Sequence, residues 1–206
     1  MRYEAEDNII VKMQCEFAQD TFICEYTFQV FSRGTSANDQ LIGKGRIVHI
    51  DVERANIMNR RVYEEWGEPK NHHFYEYYDA LFKSCSDNEL ALEVYLTIDD
   101  PICNDNIVII ERLETLPQHR KKGYGEDVIA CVLEYFMFSA GIAAIKSFPL
   151  QFEDGDFKES ENAWRSLLRL DEYKSSEATA THTLQQHYQK LGFELIDETD
   201  IMVSGI

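Results

Sequence analysis

The sequence predicts an α+β fold in three layers (α/β three-layer), with a mixed, mostly antiparallel twisted sheet flanked by helices. Three observations favour this class. Segments rich in β-branched and aromatic residues recur through the first 51 residues. The order strand, glycine-containing turn, amphipathic helix and strand occurs between residues 107 and 148. The chain has 206 residues, 44% of them hydrophobic, which is enough for one domain with a proper core.

The N-terminal strands are predicted at residues 9–17, 22–31 and 41–51, as an antiparallel meander. The third of these contains Gly43 and Gly45, and glycines inside a strand indicate a bulge.

Helical periodicity follows at residues 52–62, with Ile57 and Met58 predicted to face inward, and at residues 71–83. The second segment carries an aromatic stripe, which we interpret as core rather than as a ligand site. Residues 88–98 fit both a strand, because leucines alternate there, and a helix by composition. We favour a strand in the later half of that segment.

The stretch at residues 106–140 organises the rest of the chain. It predicts a strand at 107–113, a basic loop at 120–125 and an amphipathic helix at 125–140. A further strand at 142–148 would lie parallel to the first, because the two flank a helical crossover. The remaining elements are a helix at 161–170 burying Trp164, Leu167 and Leu168, a helix at 183–191 ended by Gly192, and strands at 193–196 and 201–204.

The basic loop has a possible use that follows from helix geometry. A helix begins with unpaired N–H groups and a partial positive charge, and glycines before it allow a ligand to approach the backbone. The loop therefore suits a phosphate group. A tight left-handed turn with a solvated basic surface explains the same residues equally well.

Two sequence elements together resemble the GNAT acyltransferase superfamily. Residues 115–125, TLPQHRKKGYG, are similar to its acyl-CoA-binding signature Val-x-Pro-x-x-(Gln/Arg)-x-x-Gly-x-(Gly/Ala). Arg120, Gly123 and Gly125 match, Pro117 stands where a proline is common, and Thr115 replaces the usual apolar residue. Residues 188–193, YQKLGF, look like the family's Tyr-x-x-x-Gly-Phe element.

The resemblance covers residues 105–206, which it implies are the acyl-CoA-binding core of a single GNAT-like domain spanning 1–206. Residues 1–104 would hold the N-terminal strands and a helical insertion between the third and fourth strands. In the family, two helices usually follow the first strand, so this order departs from the pattern and leaves the acceptor pocket unplaced.

The resemblance also implies an activity, the transfer of an acetyl or other acyl group from acetyl-CoA to a primary amine, and the residues that perform it. The cofactor-binding residues it implies are Leu113, Thr115, Arg120, Lys121, Lys122, Gly123, Tyr124 and Gly125. Leu113 and Thr115 would pair with the pantetheine amides through their main chain, as an added strand does. Tyr188 matches the tyrosine that protonates the leaving thiolate, although a packed core tyrosine is the alternative.

The acceptor amine must lose a proton before it attacks. A lysine-like amine with a pKa of about 10.4 is neutral about once in 10³ molecules at pH 7, a cost of about 4–5 kcal/mol. Strand alternation places Glu111 on the side of Leu113 and Thr115, so it is the candidate general base, directly or through water. The alternatives are a surface glutamate, or a bulge that breaks the alternation.

Composition limits the partners. The net charge of −17 argues against nucleic acid and favours a cationic small-molecule or peptide amine. We expect no metal, because the five cysteines lack zinc-site spacing, and no membrane span. The N-terminal residues do not resemble a signal peptide, so we expect reduced thiols, a cytoplasmic location, and a monomer or homodimer.

Two other functions stay open at this point. A catalytically silent GNAT-like protein would bind CoA or a partner protein for regulation without turnover. An acidic decoy would bind a basic protein. The acceptor is also open, because small amines, antibiotics, peptide N-termini and protein lysines all fit the sequence.

Overall fold

The computed structural model describes residues 2–4, 9–16, 21–33, 39–66, 74–153 and 159–206. Its strands are β1 Arg2–Glu4, β2 Ile9–Glu16, β3 Ile23–Ser32, β4 Gln40–Ile50, β5 Ile107–Thr115, β6 Ile142–Lys146, β7 Glu194–Leu195 and β8 Ile201–Gly205. Its α-helices are α1 Val52–Ile57, α2 Val62–Trp66, α3 Phe74–Leu81, α4 Leu92–Thr97, α5 Tyr124–Phe136, α6 Glu159–Leu167 and α7 Glu177–Gln189.

The strands form one open sheet in the order β1-β2-β3-β4-β5-β6-β8-β7. Among the described strands only β5 and β6 pair in parallel, and every other neighbouring pair is antiparallel. The α+β class and the mostly antiparallel sheet are therefore confirmed, as is the parallel crossover through α5. The short strand β1 was not predicted.

Helices cover both faces of the sheet. Side chains along β5 alternate, so that Ile107 and Ile109 pack with α1–α4, while Val108 and Ile110 pack with α5. Both sets are almost fully buried, as expected for a central strand covered on two sides. The aromatic stripe of α3 is core, as predicted: Phe74, Tyr77, Tyr78 and Leu81 are all at most 2% exposed.

The prediction of a strand in the later half of residues 88–98 is wrong, because this segment forms the helix α4. Leu90, Val94 and Ile98 are buried, whereas Leu92 and Leu96 are 63% and 73% exposed. Burial thus recurs every four residues, which is the helical period. The alternating leucines produced the same sequence pattern as a half-buried strand, and the pattern alone does not separate the two.

Two further predictions need correction. The helix predicted at 52–62 is too long, because α1 ends at Ile57 and α2 begins only at Val62, with Asn59 in the left-handed region at φ 52° between them. Ile57 does not face inward, because it is 85% exposed, while Met58 packs partly against the core. Of the three residues predicted to be buried by the helix at 161–170, Leu168 is buried, Trp164 is half-buried and Leu167 is 56% exposed. Helix α6 spans Glu159–Leu167, so Leu168 lies just beyond it. Residues 71–73 of the predicted second helix lie outside the described residues.

The helix predicted at 183–191 begins earlier, at Glu177. The Ser176 side chain caps it by accepting a hydrogen bond from the Thr179 N–H. At its other end Gly192 has φ 88°, and the Phe193 N–H donates to the Tyr188 carbonyl at 3.1 Å. This is the glycine-terminated helix end that the sequence predicts.

Candidate functional site

A cavity of about 630 Å³ opens where the parallel pairing of β5 and β6 stops. The ladder ends at Ile110 and Ile145, but β5 continues to Thr115. The edge of residues 111–115 is therefore not covered by β6. The cavity is bounded by this edge, the loop before α5, the end of β6, residues 148–151 and the inner side of α7. Its volume lies within the usual range for small-molecule sites.

A bulge at Glu111 sets the direction of this edge. Arg46 pairs with Arg112 and Ile47 with Ile110, so Glu111 is the additional residue on β5. The strand alternation that predicted the orientation of Glu111 is therefore interrupted there. The bulge itself was foreseen as an alternative.

Beyond the bulge, β5 lies very close to β4. A Cβ atom on Gly43 would lie 2.5 Å from the Glu114 carbonyl oxygen, and one on Gly45 would overlap the Arg112 carbonyl and the Phe28 ring. Those two carbonyls therefore point toward β4. Because main-chain groups alternate along an antiparallel strand, the N–H and C=O of Leu113 and Thr115 point toward the cavity.

The loop between β5 and α5 turns through a short 3₁₀ helix, Pro117–His119, and two left-handed residues, Lys121 at φ 58° and Gly123 at φ 81°. Gly123 caps α5 without a side-chain hydrogen bond. The first intrahelical bond is that of the Asp127 N–H to the Gly123 carbonyl, at 3.1 Å. The N–H groups of residues 124–126 precede it and have no partner within the helix.

The space above the two glycines is open. A Cβ atom on Gly123 would meet no atom within 4 Å, and one on Gly125 would lie 3.9 Å from the nearest neighbour, Leu113 Cδ2. Lys121, Gly123, Tyr124 and Gly125 line the cavity. Lys122 is exposed and is not among the described residues that line it.

Arg120 lines the cavity, but its side chain is already bound to the protein. Its Nε donates to the Thr115 carbonyl at 3.0 Å and its Nη2 to the Leu168 carbonyl at 2.5 Å. Its guanidinium also lies 4.9 Å from the centre of the Tyr173 ring. The visible role of Arg120 is therefore to fasten the loop to β5 and to the end of α6, and its bond to Thr115 occupies one acceptor of the β5 edge.

Glu111 and Tyr188, which are 77 positions apart in the sequence, both line this cavity. The Glu111 side chain is 3% exposed and forms an ion pair with Arg46, whose Nη2 donates to Oε1 at 2.7 Å and whose Nε pairs with Oε2. Tyr188 is partly exposed and packs near Phe193. Burial of its hydroxyl raises the pKa of Tyr188 to about 12.

Two features of the wall were not predicted from the sequence. His119 is 9% exposed, and neither ring nitrogen has a hydrogen-bond partner among the described residues. Burial, and then the charge of Lys122, lower the pKa of His119, which keeps the ring neutral. The position of His119 within the 115–125 element was the one sequence feature that could have indicated its place in the cavity wall. The second feature is an ion-pair group of Arg112, Glu153 and Arg165, which no short-range pattern indicates.

Other classes of site find little support in the described part of the chain. It contains no group of three or more His, Cys, Asp and Glu residues placed to hold a metal ion. The cysteines are free thiols. None of the described helices combines the length and apolar character needed to cross a membrane.

Comparisons of the chain with protein-family models, with curated proteins and with solved structures found no match. The two sequence elements and the geometry of this cavity are therefore the features of the protein that indicate a function.

Proposed function

We propose that the protein is an acyltransferase of the GNAT type, which moves an acetyl or related acyl group from acetyl-CoA to a primary amine. One observation carries the proposal. The two sequence elements that suggest the family, the loop at 115–125 and the tyrosine at 188, line one cavity at the end of a parallel strand pair. A pair of chance motif matches has no reason to meet in this way.

The residues at the loop fit an acyl-CoA molecule. Gly123 and Gly125 leave open space in front of the unpaired N–H groups of α5, where a diphosphate would accept hydrogen bonds. Lys121 adds a positive charge at the cavity wall. Glu126 and Asp127, in the first turn of α5, partly offset this positive potential. Binding then depends on the N–H groups more than on net charge.

The β5 edge fits the amide-bearing arm of the same molecule. The Leu113 main chain faces the cavity beyond the end of the β6 ladder, and an extended ligand with amide groups pairs with such an edge as an added strand. The Thr115 carbonyl is occupied by Arg120 Nε, so its use by a ligand requires Arg120 to move.

The bound acyl-CoA supplies an activated thioester carbonyl, and the protein supplies the proton transfers. Glu111, directly or through water, accepts the proton that the amine must lose. The amine nitrogen forms the new C–N bond as the C–S bond breaks. Tyr188 donates its proton to the departing sulfur, and the proton held by Glu111 restores it through solvent. A hydroxyl with its pKa raised to about 12 stays protonated at neutral pH, as a proton donor must.

The acceptor we propose is a cationic small molecule or peptide amine. The net charge of −17 attracts cations over the surface, and the reacting amine arrives protonated. A buried carboxylate at the end of its path provides both a counter-charge and a proton acceptor.

Calorimetric titration with acetyl-CoA is the first test, on the wild-type protein and on Gly125→Leu. The Cβ atom of a leucine at this helical position would lie 3.9 Å from its nearest neighbour, an ordinary contact, so we expect the fold to be preserved while the larger side chain blocks the ligand. Gly125→Ala is the matched control, since it adds only one methyl group. We expect binding by the wild type and by Gly125→Ala, and none by Gly125→Leu. Failure of the wild type to bind any acyl-CoA would refute the proposal.

Turnover is tested with a panel of primary amines, by following the acetylated product with mass spectrometry. Reagents that detect released thiols are unsuitable, because Cys85 and Cys103 are exposed and would react.

One observation favours a second candidate, a protein that binds acyl-CoA without turnover. Arg46 contacts both carboxylate oxygens of Glu111, so the candidate base is engaged in the structure. This candidate predicts acetyl-CoA binding that Gly125→Leu abolishes, with no acetylated product from any amine, and indifference of binding to Tyr188→Phe.

A further inference from the structure

Tyr77 on α3 has a buried hydroxyl that the packing of the core does not explain. The residue is 1% exposed, and its ring packs near Trp66 in the layer formed by α1–α4. Among the described residues, no acceptor lies in hydrogen-bonding geometry with its proton, although the Lys146 main-chain N–H acts on its oxygen as a donor. A buried hydroxyl without a partner destabilises a fold, whereas phenylalanine would fill the same space at no such cost. Phe74 on the same helix shows that this layer accommodates phenylalanine.

The hydroxyl lies close to the proposed site, although it comes from the opposite layer of the fold. Glu76, the preceding residue, pairs with Lys146 Nζ at 2.5 Å and so ties α3 to the end of β6. Lys146 follows Ile145, where the parallel ladder stops, and Glu111 follows the paired residue Ile110. Helix α3 is therefore tied to the point where the β5–β6 ladder stops, and Glu111 follows the last paired residue of β5 at that point.

The electrostatics of Tyr77 agree with this position. Burial is the largest cause that raises the pKa of its hydroxyl, and the negative charge of Glu111 raises it further. The main-chain amide of Lys146 acts in the opposite direction. The hydroxyl therefore keeps its proton and lies within electrostatic range of both candidate catalytic residues.

Glu111 has unused hydrogen-bonding capacity. A carboxylate offers about four lone pairs, and the hydrogen bond from Arg46 Nη2 uses one of them, on Oε1. Glu111 Oε2 is in charge contact with Arg46 Nε but is buried without a hydrogen bond of normal geometry among the described residues. The separation of Tyr77 and Glu111 exceeds a direct hydrogen bond, since none is formed. A buried water molecule is stable when two or more polar groups hold it, and the Glu111 carboxylate and the Tyr77 hydroxyl each have unused hydrogen-bonding capacity.

We propose that Tyr77 is a positioning residue of the transferase site, holding a single water that bridges it to Glu111. This inference rests on the proposed function. The water receives the proton of the acceptor amine and passes a proton to the Glu111 carboxylate, so that no charge or atom is lost. Tyr77 donates one hydrogen bond to this water and fixes its orientation without giving up its own proton.

The test compares Tyr77→Phe with Tyr78→Phe, its neighbour on α3. Tyr78 is also buried, but its hydroxyl donates to the Ser84 carbonyl at 2.8 Å, so its loss should lower Tm by about 2–4 °C and leave turnover unchanged. For Tyr77→Phe we expect kcat to fall about 10–100-fold with KM for acetyl-CoA unchanged, and Tm equal to or above the wild-type value. A purely structural role predicts no change in kcat, and retained turnover in Tyr77→Phe would overturn the proposal.

A second measurement does not depend on turnover. A high-resolution crystal structure of the wild-type protein should show one ordered water within hydrogen-bonding distance of both Tyr77 Oη and the Glu111 carboxylate, and the water should be lost in Tyr77→Phe. A dry contact in the wild type would overturn the inference even if acetyl-CoA binds. Conversely, an ordered water in a protein that binds no acyl-CoA would leave the Tyr77 geometry intact and reject the transferase proposal instead.

Discussion

Tyr188 has the two properties of a proton donor in this chemistry: it lines the cavity, and burial raises the pKa of its hydroxyl to about 12. Replacing it by phenylalanine removes the proton and little else, because the ring still packs near Phe193. We expect Tyr188→Phe to lower kcat by about 10²–10⁴-fold and to leave the Kd for acetyl-CoA within about threefold of the wild type. Steady-state kinetics and calorimetry measure the two quantities.

The control for this substitution is Tyr135→Phe on α5, a partly buried tyrosine that is not among the described residues lining the cavity. Its turnover should match that of the wild type.

The pH dependence of kcat gives an independent check on Tyr188. Since the Tyr188 proton is held until about pH 12, kcat should not fall between pH 8 and 10 through loss of this acid. Equal kcat in the wild type and Tyr188→Phe would assign the proton to another donor.

The wall of the cavity opposite α7 depends on an ion-pair cluster, Arg112–Glu153–Arg165. Glu153 accepts two hydrogen bonds from Arg112, each at 2.7 Å, and one from Arg165 at 2.5 Å. Arg165 also donates to the Leu150 carbonyl, and Leu150 lines the cavity. This cluster joins β5, the segment after β6, and α6. The shape of the wall therefore depends on a few charged contacts between elements.

Glu153→Gln tests that cluster, because it removes the negative charge that two partly buried guanidinium groups share, and leaves Glu114 as the carboxylate paired with Arg112. We expect a loss of about 2 kcal/mol in the free energy of unfolding, measured by urea denaturation at pH 7, together with weaker acetyl-CoA binding. The control is Glu89→Gln. Glu89 pairs with Lys83 but both side chains are 61% exposed, so its loss should cost less than about 0.5 kcal/mol.

The stability difference between the wild type and Glu153→Gln should depend on pH. Burial alone would raise the pKa of Glu153, but the hydrogen bonds and charges of Arg112 and Arg165 outweigh it and hold the pKa below its ordinary value of 4.5. A carboxyl group whose pKa is lower in the folded than in the unfolded protein stabilises the fold at pH values above its unfolded pKa. This stabilisation is lost as the pH falls through the folded pKa. The difference in unfolding free energy between wild type and Glu153→Gln should therefore shrink below pH 4.5. A difference that stayed constant to pH 3 would show that charge is not its cause.

The cluster also shows where sequence reasoning stops. The strand at 107–113 and the helix after Tyr124 follow from their own residues, because one is an apolar run interrupted by two charges and the other repeats at helical spacing. The part of the cavity wall that the strand and the helix form was predictable from the sequence, but the rest of the wall was not. The partners of Arg112 lie 2 and 41 positions away, and nothing local distinguishes Glu153 from the other acids. Tyr77 lay within a correctly predicted core stripe, but the influence of Glu111 on its hydroxyl depends on tertiary packing that no local pattern shows.

Charge is distributed unevenly over the protein, which carries a net charge of −17 but has three consecutive cationic residues at 120–122. An anionic ligand is repelled by the acidic surface over long distances and attracted by the cationic loop over short ones. The screening length is about 30 Å at 0.01 M ionic strength and about 10 Å at 0.1 M. At the lower value the ligand is repelled by most of the acidic surface, and at the higher value it experiences chiefly the loop.

The affinity for acetyl-CoA should therefore pass through a maximum as salt increases, rising while the repulsion is screened and falling once the attraction of Lys121 and Lys122 is screened too. Calorimetry at ionic strengths from about 0.01 to 0.5 M measures this directly. For the double variant Lys121→Ala/Lys122→Ala, the affinity should still rise at low salt but should fall much less at high salt. Lys12→Ala/Lys83→Ala makes the same change in net charge at exposed lysines outside the described cavity wall, and should keep both limbs. If that control and the loop variant behave alike, the ligand senses only net charge, and its binding site does not lie at the beginning of α5.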